Sequence, residues 1–260
     1  MTNERVTESI RQDWNERARK NAFFYIASWR SQWDSESFFQ SGEEDFARLV
    51  QPALDRAAFE TKGKSIVEVG CGAGRMTHCF ARRFGRVIAV DVSSEMQDRG
   101  KQYLADFGNI EWLLADGNAL NGIESASSDF VFSYLVLQHL PNSEMADALL
   151  NEFSRVLRPG GIFLFQFNGT PVRSMNFYGR CVWAFVNALW SIGLKKAGQA
   201  LAKLMGLDPE MVGNSWHGVA LTTAEVRTTL ERAGASDLRF WGEGTPMAWC
   251  SGVKRAGAKK

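Results

Sequence analysis

Cysteine is scarce and scattered, at positions 71, 79, 181 and 250, with no C-x-x-C pair. That spacing excludes a zinc ribbon or dithiol redox motif and suits a reducing, cytoplasmic setting. Neither sign of charge is in excess: 30 Lys+Arg stand against 29 Asp+Glu, a formal net charge of +1, with no long block of like charge. A nucleic-acid partner calls for a basic patch or stripe, so no nucleic acid is expected. The start, Met1-Thr2-Asn3-Glu4-Arg5, has no apolar signal core, and no run approaches the ~20 apolar residues of a spanning helix, so no integral membrane segment is expected. Internal repeats and low-complexity linkers are also missing. What remains is a chain of 260 residues, enough for one large α/β domain with embellishments.

Apolar spacing divides the chain. Before Glu60 it is helical and interrupted: Trp14, Ala18, Ala22 and Ile26 recur every four residues, then Trp29, Trp33, Phe38 and Phe39 cluster, then Phe46, Leu49, Val50 and Leu54 recur. This predicts a helical N-terminal cap over residues 1–60, ahead of a core over 61–260. From Gly63 to Asn168 strands alternate with helices, the strands expected near 65–69, 86–91, 110–116, 129–135 and 161–168, which specifies a parallel sheet with right-handed crossovers. Ser143 is the expected N-cap of the helix running towards Leu157, and Arg158-Pro159-Gly160-Gly161 reads as a stop and turn. Thr222 and Glu225 offer a capping box for a helix that Gly234 ends. Late strands over 238–241 and 247–253 fit an edge hairpin. After the fifth strand and before that last helix, residues 170–215 fit no βαβ unit and are rich in aromatics, as expected of a lid-like insertion.

The chemistry-bearing stretch is Ser65-Ile66-Val67-Glu68-Val69-Gly70-Cys71-Gly72-Ala73-Gly74-Arg75, an apolar strand ending in a glycine turn that opens a helix. Glycines let a ligand approach backbone, and free N–H groups at the helix start are expected to form an electropositive rim. A second strand ends in Asp91, about twenty residues after Gly70, where a ribose-binding carboxylate sits in nucleotide folds. Turn and acid together imply an adenosine-containing ligand. The nicotinamide fingerprint G-x-G-x-x-G would need a glycine where Arg75 stands.

The pattern E-x-G-x-G-x-G over Glu68–Gly74 resembles the first motif of the class I S-adenosylmethionine-dependent methyltransferases, and the resemblance continues to Phe167. It implies a Rossmann-like α/β fold: a seven-stranded, mostly parallel sheet with helices on both faces. The implied strand order is third, second, first, fourth, fifth, seventh, sixth, the seventh antiparallel. It also implies S-adenosylmethionine as cofactor, bound by Glu68, Gly70, Cys71, Gly72, Asp91 and Val92. Asp91 would take the ribose hydroxyls, its alternative role being the cap of the next helix. Met96 would pack on adenine. Asp116, with Gly117 and Asn118, would meet the adenine amine, or else serve only as turn chemistry. Ser133 and Leu135 would approach the methionine portion.

Relatives carrying Glu-x-x-Glu-His after the fourth strand can support a metal; Leu135 and Gln138 stand in place of those acids here, so no catalytic metal is expected. His139 and His217 are the candidate bases, each with a purely structural alternative. Tyr25, Gln138, Arg173, Tyr178 and Trp216 are the candidate substrate contacts. The implied activity is methyl transfer to a small-molecule acceptor, for which aromatic walls favour an apolar or ring-containing body. Alternatives are a membrane-surface methyltransferase on a lipid or quinone, a non-catalytic adenosine-cofactor binder, and an NAD(P)-dependent oxidoreductase.

Overall fold

The computed structural model describes residues 3–115, 119–169, 185, 189, 194–204 and 218–256. Seven strands form one sheet in the order β3-β2-β1-β4-β5-β7-β6. The strands are β1 (Ser65–Val69), β2 (Arg86–Asp91), β3 (Ile110–Leu114), β4 (Ser128–Ser133), β5 (Leu157–Phe167), β6 (Ala235–Trp241) and β7 (Ala248–Lys254). The pairs from β3 through β5 are parallel, and β7 runs antiparallel to both neighbours. This is the order and the reversed strand that the resemblance implied.

Why the sheet is covered on both sides follows from period-2 geometry. Val67, Val69, Val131, Phe163 and Phe165 point to one face, where they meet Leu149, Leu150 and Phe153 of α6 (Ser143–Val156). Ile66, Phe130, Phe132 and Leu164 point to the other, against Phe80 of α4 (Thr77–Ala81) and Phe46. The central strands β1, β2 and β4 therefore read as near-continuous apolar runs rather than alternations.

Three helices precede β1: α1 (Asn3–Ile26), α2 (Ser35–Asp45) and, after a π-helical turn at Phe46–Val50, α3 (Gln51–Arg56). Asn21 breaks the α1 geometry at φ −167°, ψ 87°. Helix α5 (Ser94–Tyr103) follows β2. Asn15 ties α1 to its start: the Asn15 Oδ1 accepts from Ser93 Oγ at 2.7 Å and from Glu95 N at 3.3 Å. Arg11 of α1 donates to the carbonyls of Val92 and Ala115 at 3.4 and 3.3 Å. The first helix is thus laid across the carboxyl ends of β2 and β3, which is where ligands bind in open α/β sheets.

Local chemistry moves several expected boundaries. The N-cap of α6 is Asn142, whose side chain accepts from Met145 N at 2.9 Å, so Ser143 is the first helical residue rather than the cap. Arg158–Gly161 is not a stop before the strand but a bulge within it: Leu157 already pairs with Ser128, and pairing resumes at Ile162 with Phe130. Gly160 takes φ +81° there. The expected capping box is present, with Thr222 and Glu225 bonded reciprocally at the start of α8 (Thr223–Arg232). Of the lid-like segment at 170–215, only residues 185, 189 and 194–204, which hold α7 (Lys195–Leu204), are described. Among the described residues no helix is long and apolar enough to cross a membrane.

Candidate active site

A cavity of about 630 Å³ opens where β1, β2 and β4 end, within the range typical of small-molecule sites. Its walls contain Glu68, Gly70, Cys71, Gly72, Asp91, Val92, Met96, Leu135, Gln138, His139 and Tyr25, so most of the expected site residues share one space. Ser133 is the exception. It is fully buried, does not line the cavity, and its hydroxyl donates to Val69 O at 3.1 Å, because an inward position late in β4 faces the neighbouring strand. Asp116, Gly117, Asn118, Arg173, Tyr178, Trp216 and His217 lie outside the described residues. The third histidine, His78, sits away from the cavity with Nδ1 3.7 Å from Glu43.

The glycine turn is tied down through its own amides. Gly70 and Cys71 both donate to Val90 O, at 2.7 and 3.0 Å, Gly72 donates to Asp91 Oδ2 at 2.8 Å, and Gly74 to Cys71 O at 2.9 Å. These amides are spent on holding the turn against β2, and the helix that follows, α4, is only five residues long.

Neighbouring side chains close in on both glycines of the turn. At Gly70, with φ +81°, an added Cβ would lie 2.0 Å from Val136 Cγ2, and at Gly72, with φ +54°, 2.8 Å from Ile26 Cδ1. Both positions therefore demand glycine for conformation and for room.

Asp91 does not cap α5; Ser93 does, accepting from Met96 N at 3.1 Å. Asp91 instead accepts one amide per oxygen, Ser93 N on Oδ1 and Gly72 N on Oδ2, both at 2.8 Å, leaving lone pairs on the cavity side. Burial raises its carboxyl while those amide bonds pull it down. Glu68 is buried beneath the turn and accepts from Thr77 Oγ1 at 2.6 Å. Burial pushes it up to about 8, against the lowering influence of Thr77 and Arg75, with Asp91 adding to the rise. Burial also drives the Cys71 thiol far up, which keeps it protonated and removes it as a nucleophile.

At the β4 end, Leu135 adopts φ +60°, a strained conformation for leucine, and its N–H donates to Gln166 Oε1 at 3.1 Å. Gln166, fully buried, also donates to Gln138 Oε1 at 3.2 Å and to Pro246 O at 2.7 Å. One amide thus fixes three pieces of cavity wall. His139 follows on the same turn, its ring edge against Trp14 at 5.1 Å and its Nε2 3.4 Å from the Gln138 amide nitrogen.

Sequence reasoning passed over several wall residues: Ile10, Trp14 and Trp29 before β1, Arg75 and Met247. Arg75 had a signal, standing directly after Gly74. The others arrive by tertiary packing.

Residues 67–165 match the family described as a methyltransferase domain. Trans-aconitate 2-methyltransferase of Azoarcus sp. (strain BH72) is 32% identical over 136 residues, covering 52% of this chain and 50% of the relative. Phosphoethanolamine N-methyltransferase 1 of Zea mays is 31% identical over 131 residues, covering 45% of this chain and 26% of the relative. The chain thus spans half or less of the length of these relatives. Among solved structures, magnesium protoporphyrin IX methyltransferase from Synechocystis with bound S-adenosylhomocysteine superposes with a TM-score of 0.60 at 16% identity, covering 96% of this chain and 99% of that one. That likeness speaks to fold. Sheet order, glycine turn and the match over residues 67–165 agree in their likeness to the class I S-adenosylmethionine-dependent methyltransferases.

Proposed function

We propose that this protein transfers a methyl group from S-adenosylmethionine to a small-molecule acceptor bound in the same cavity. The observation that carries this reading is that the glycine turn with Asp91 and the aromatic wall of Tyr25, Trp29 and Tyr134 belong to one continuous space. S-adenosylmethionine when bound supplies an electrophilic methyl group on a sulfonium, attacked in line by the acceptor.

The protein's share of the work is positioning, which can contribute about 7–11 kcal/mol of a barrier. Asp91 would hold the ribose through its free lone pairs, Met96 would pack on adenine, and the Gly70–Gly72 backbone with Glu68 would receive the cationic methionine end. Asp116, Gly117 and Asn118 would complete the adenine end. Leu135 and Gln138, both fixed by Gln166, would form the wall nearest the transferred group, and His139 would accept a proton from an acceptor that arrives protonated. The named activities of the relatives, on trans-aconitate and phosphoethanolamine, are small-molecule reactions and support this choice.

Incubating the protein with methyl-labelled S-adenosylmethionine and a fractionated metabolite pool tests it. Label is expected in low-mass fractions; label confined to macromolecules, or none beyond the protein-free control, contradicts it.

A further inference from the structure

Arg75 is a buried cation that shares its ion-pair carboxylate with a second arginine. Its side chain is 3% exposed, and Nη1 donates to Asp45 Oδ2 at 2.8 Å and to Ser41 O at 3.1 Å. Asp45 is shared, however, because Arg48 also pairs with its Oδ1. Arg48 is 67% exposed, so water carries much of its charge, and the Glu68 carboxyl also lies within the influence of Arg75. Arg75 Nε, buried, has no hydrogen-bond partner among the described residues, and an orphaned charged donor is costly unless a ligand completes it.

The surroundings shape that vacancy for a ligand. Arg75 lines the cavity, and its Cζ lies 5.2 Å from the Trp29 ring centroid and 5.7 Å from that of Tyr134. The rings hold the planar group in place and offer apolar surface beside it. Sheet order separates this corner from the adenosine end: Asp91 and Met96 follow β2 on one side of β1, whereas Tyr134 follows β4 and Met247 precedes β7 on the other.

From this arrangement we propose that Arg75, framed by Trp29 and Tyr134, recognises the methyl acceptor, and that the acceptor carries a carboxylate or phosphate beside an apolar or ring-containing body. The inference rests on the reading of the cavity as a methyl-transfer site and narrows its substrate class. A planar guanidinium suits either anion, since both can accept paired N–H donors.

The test uses the protein saturated with S-adenosylhomocysteine, titrated by calorimetry with aromatic and alkyl carboxylates, the matching phosphomonoesters and the corresponding neutral alcohols. At least one anion is expected to bind about tenfold or more tighter than its alcohol, and the better series identifies carboxylate or phosphate. Arg75→Gln should abolish that preference while leaving S-adenosylhomocysteine affinity within about twofold; the pair with Arg48 keeps Asp45 from being stranded. Arg75→Lys, which retains the charge, should keep a weaker preference and serves if the glutamine variant does not fold. No anion surpassing its alcohol, a preference that survives in Arg75→Gln, or a large loss of S-adenosylhomocysteine affinity in that variant would each overturn the proposal, the last by assigning Arg75 to the cofactor. Failure of the wild-type protein to bind S-adenosylhomocysteine would instead strike the methyl-transfer reading itself.

Discussion

The Asp91 carboxylate accepts the Gly72 N–H at 2.8 Å, so the acid that ends β2 and the turn that ends β1 form one unit. Removing the acid would therefore loosen the turn as well as delete the ribose contact. Asp91→Ala is predicted to weaken S-adenosylhomocysteine binding by about 2 kcal/mol or more, the scale of lost charge-assisted hydrogen bonds. Unchanged affinity by calorimetry would remove Asp91 from the ribose site.

Glu68 gives a pH prediction with a definite sign. Its folded pKa, about 8, lies above the ordinary carboxyl value because of burial. A group that holds its proton more tightly when folded favours the fold below its unfolded pKa, and this contribution is lost as pH rises towards 8. In the absence of ligand, stability of the wild-type protein should thus fall from pH 5 to pH 8.5 relative to Glu68→Gln, which cannot ionise. Parallel urea-denaturation curves for the two proteins across that range would refute the assignment.

Gln166 is a structural prediction at the site. Gln166→Leu keeps the approximate volume but leaves Leu135 N–H and Pro246 O without their buried partner, at a cost of about 2–4 kcal/mol. Thermal unfolding should show a clear drop in Tm; a wild-type Tm would mean that water replaces the amide at no cost.

His139→Ala is predicted to reduce turnover of a protonated acceptor while S-adenosylhomocysteine affinity stays near normal, since the ring lies on the β4 side of the cavity. Wild-type rates across the pH range would return His139 to a structural role beside Trp14.

What could be read in the sequence was what local chemistry writes down. The apolar runs of β1 and β2, their glycine and acid endings, and the Thr222 capping box are short-range features, and the resemblance over Gly63–Phe167 supplied the sheet order. Tertiary contacts were not legible. Nothing near Asn15 says that it will accept from Ser93, and nothing near Arg75 says that its partner is Asp45 on α2. The bonds that tie the glycine turn to β2 were not legible for a related reason: Val90 O and Asp91, which accept from Gly70, Cys71 and Gly72, belong to the neighbouring strand. Ser133 was placed in the site by its position late in β4, yet strand parity turns its hydroxyl to Val69. The N-cap slipped by one residue because Asn142 and Ser143 are both good caps and only the chain's entry angle decides between them.

The most direct test of the account is a calorimetric comparison of S-adenosylmethionine, S-adenosylhomocysteine and NADP(H) on the wild-type protein, because Arg75 stands where the nicotinamide fingerprint needs a glycine. Micromolar binding of both sulfur ligands, with no heat from NADP(H), is the predicted result. Binding of the nicotinamide cofactor, or silence from both sulfur ligands, would contradict it.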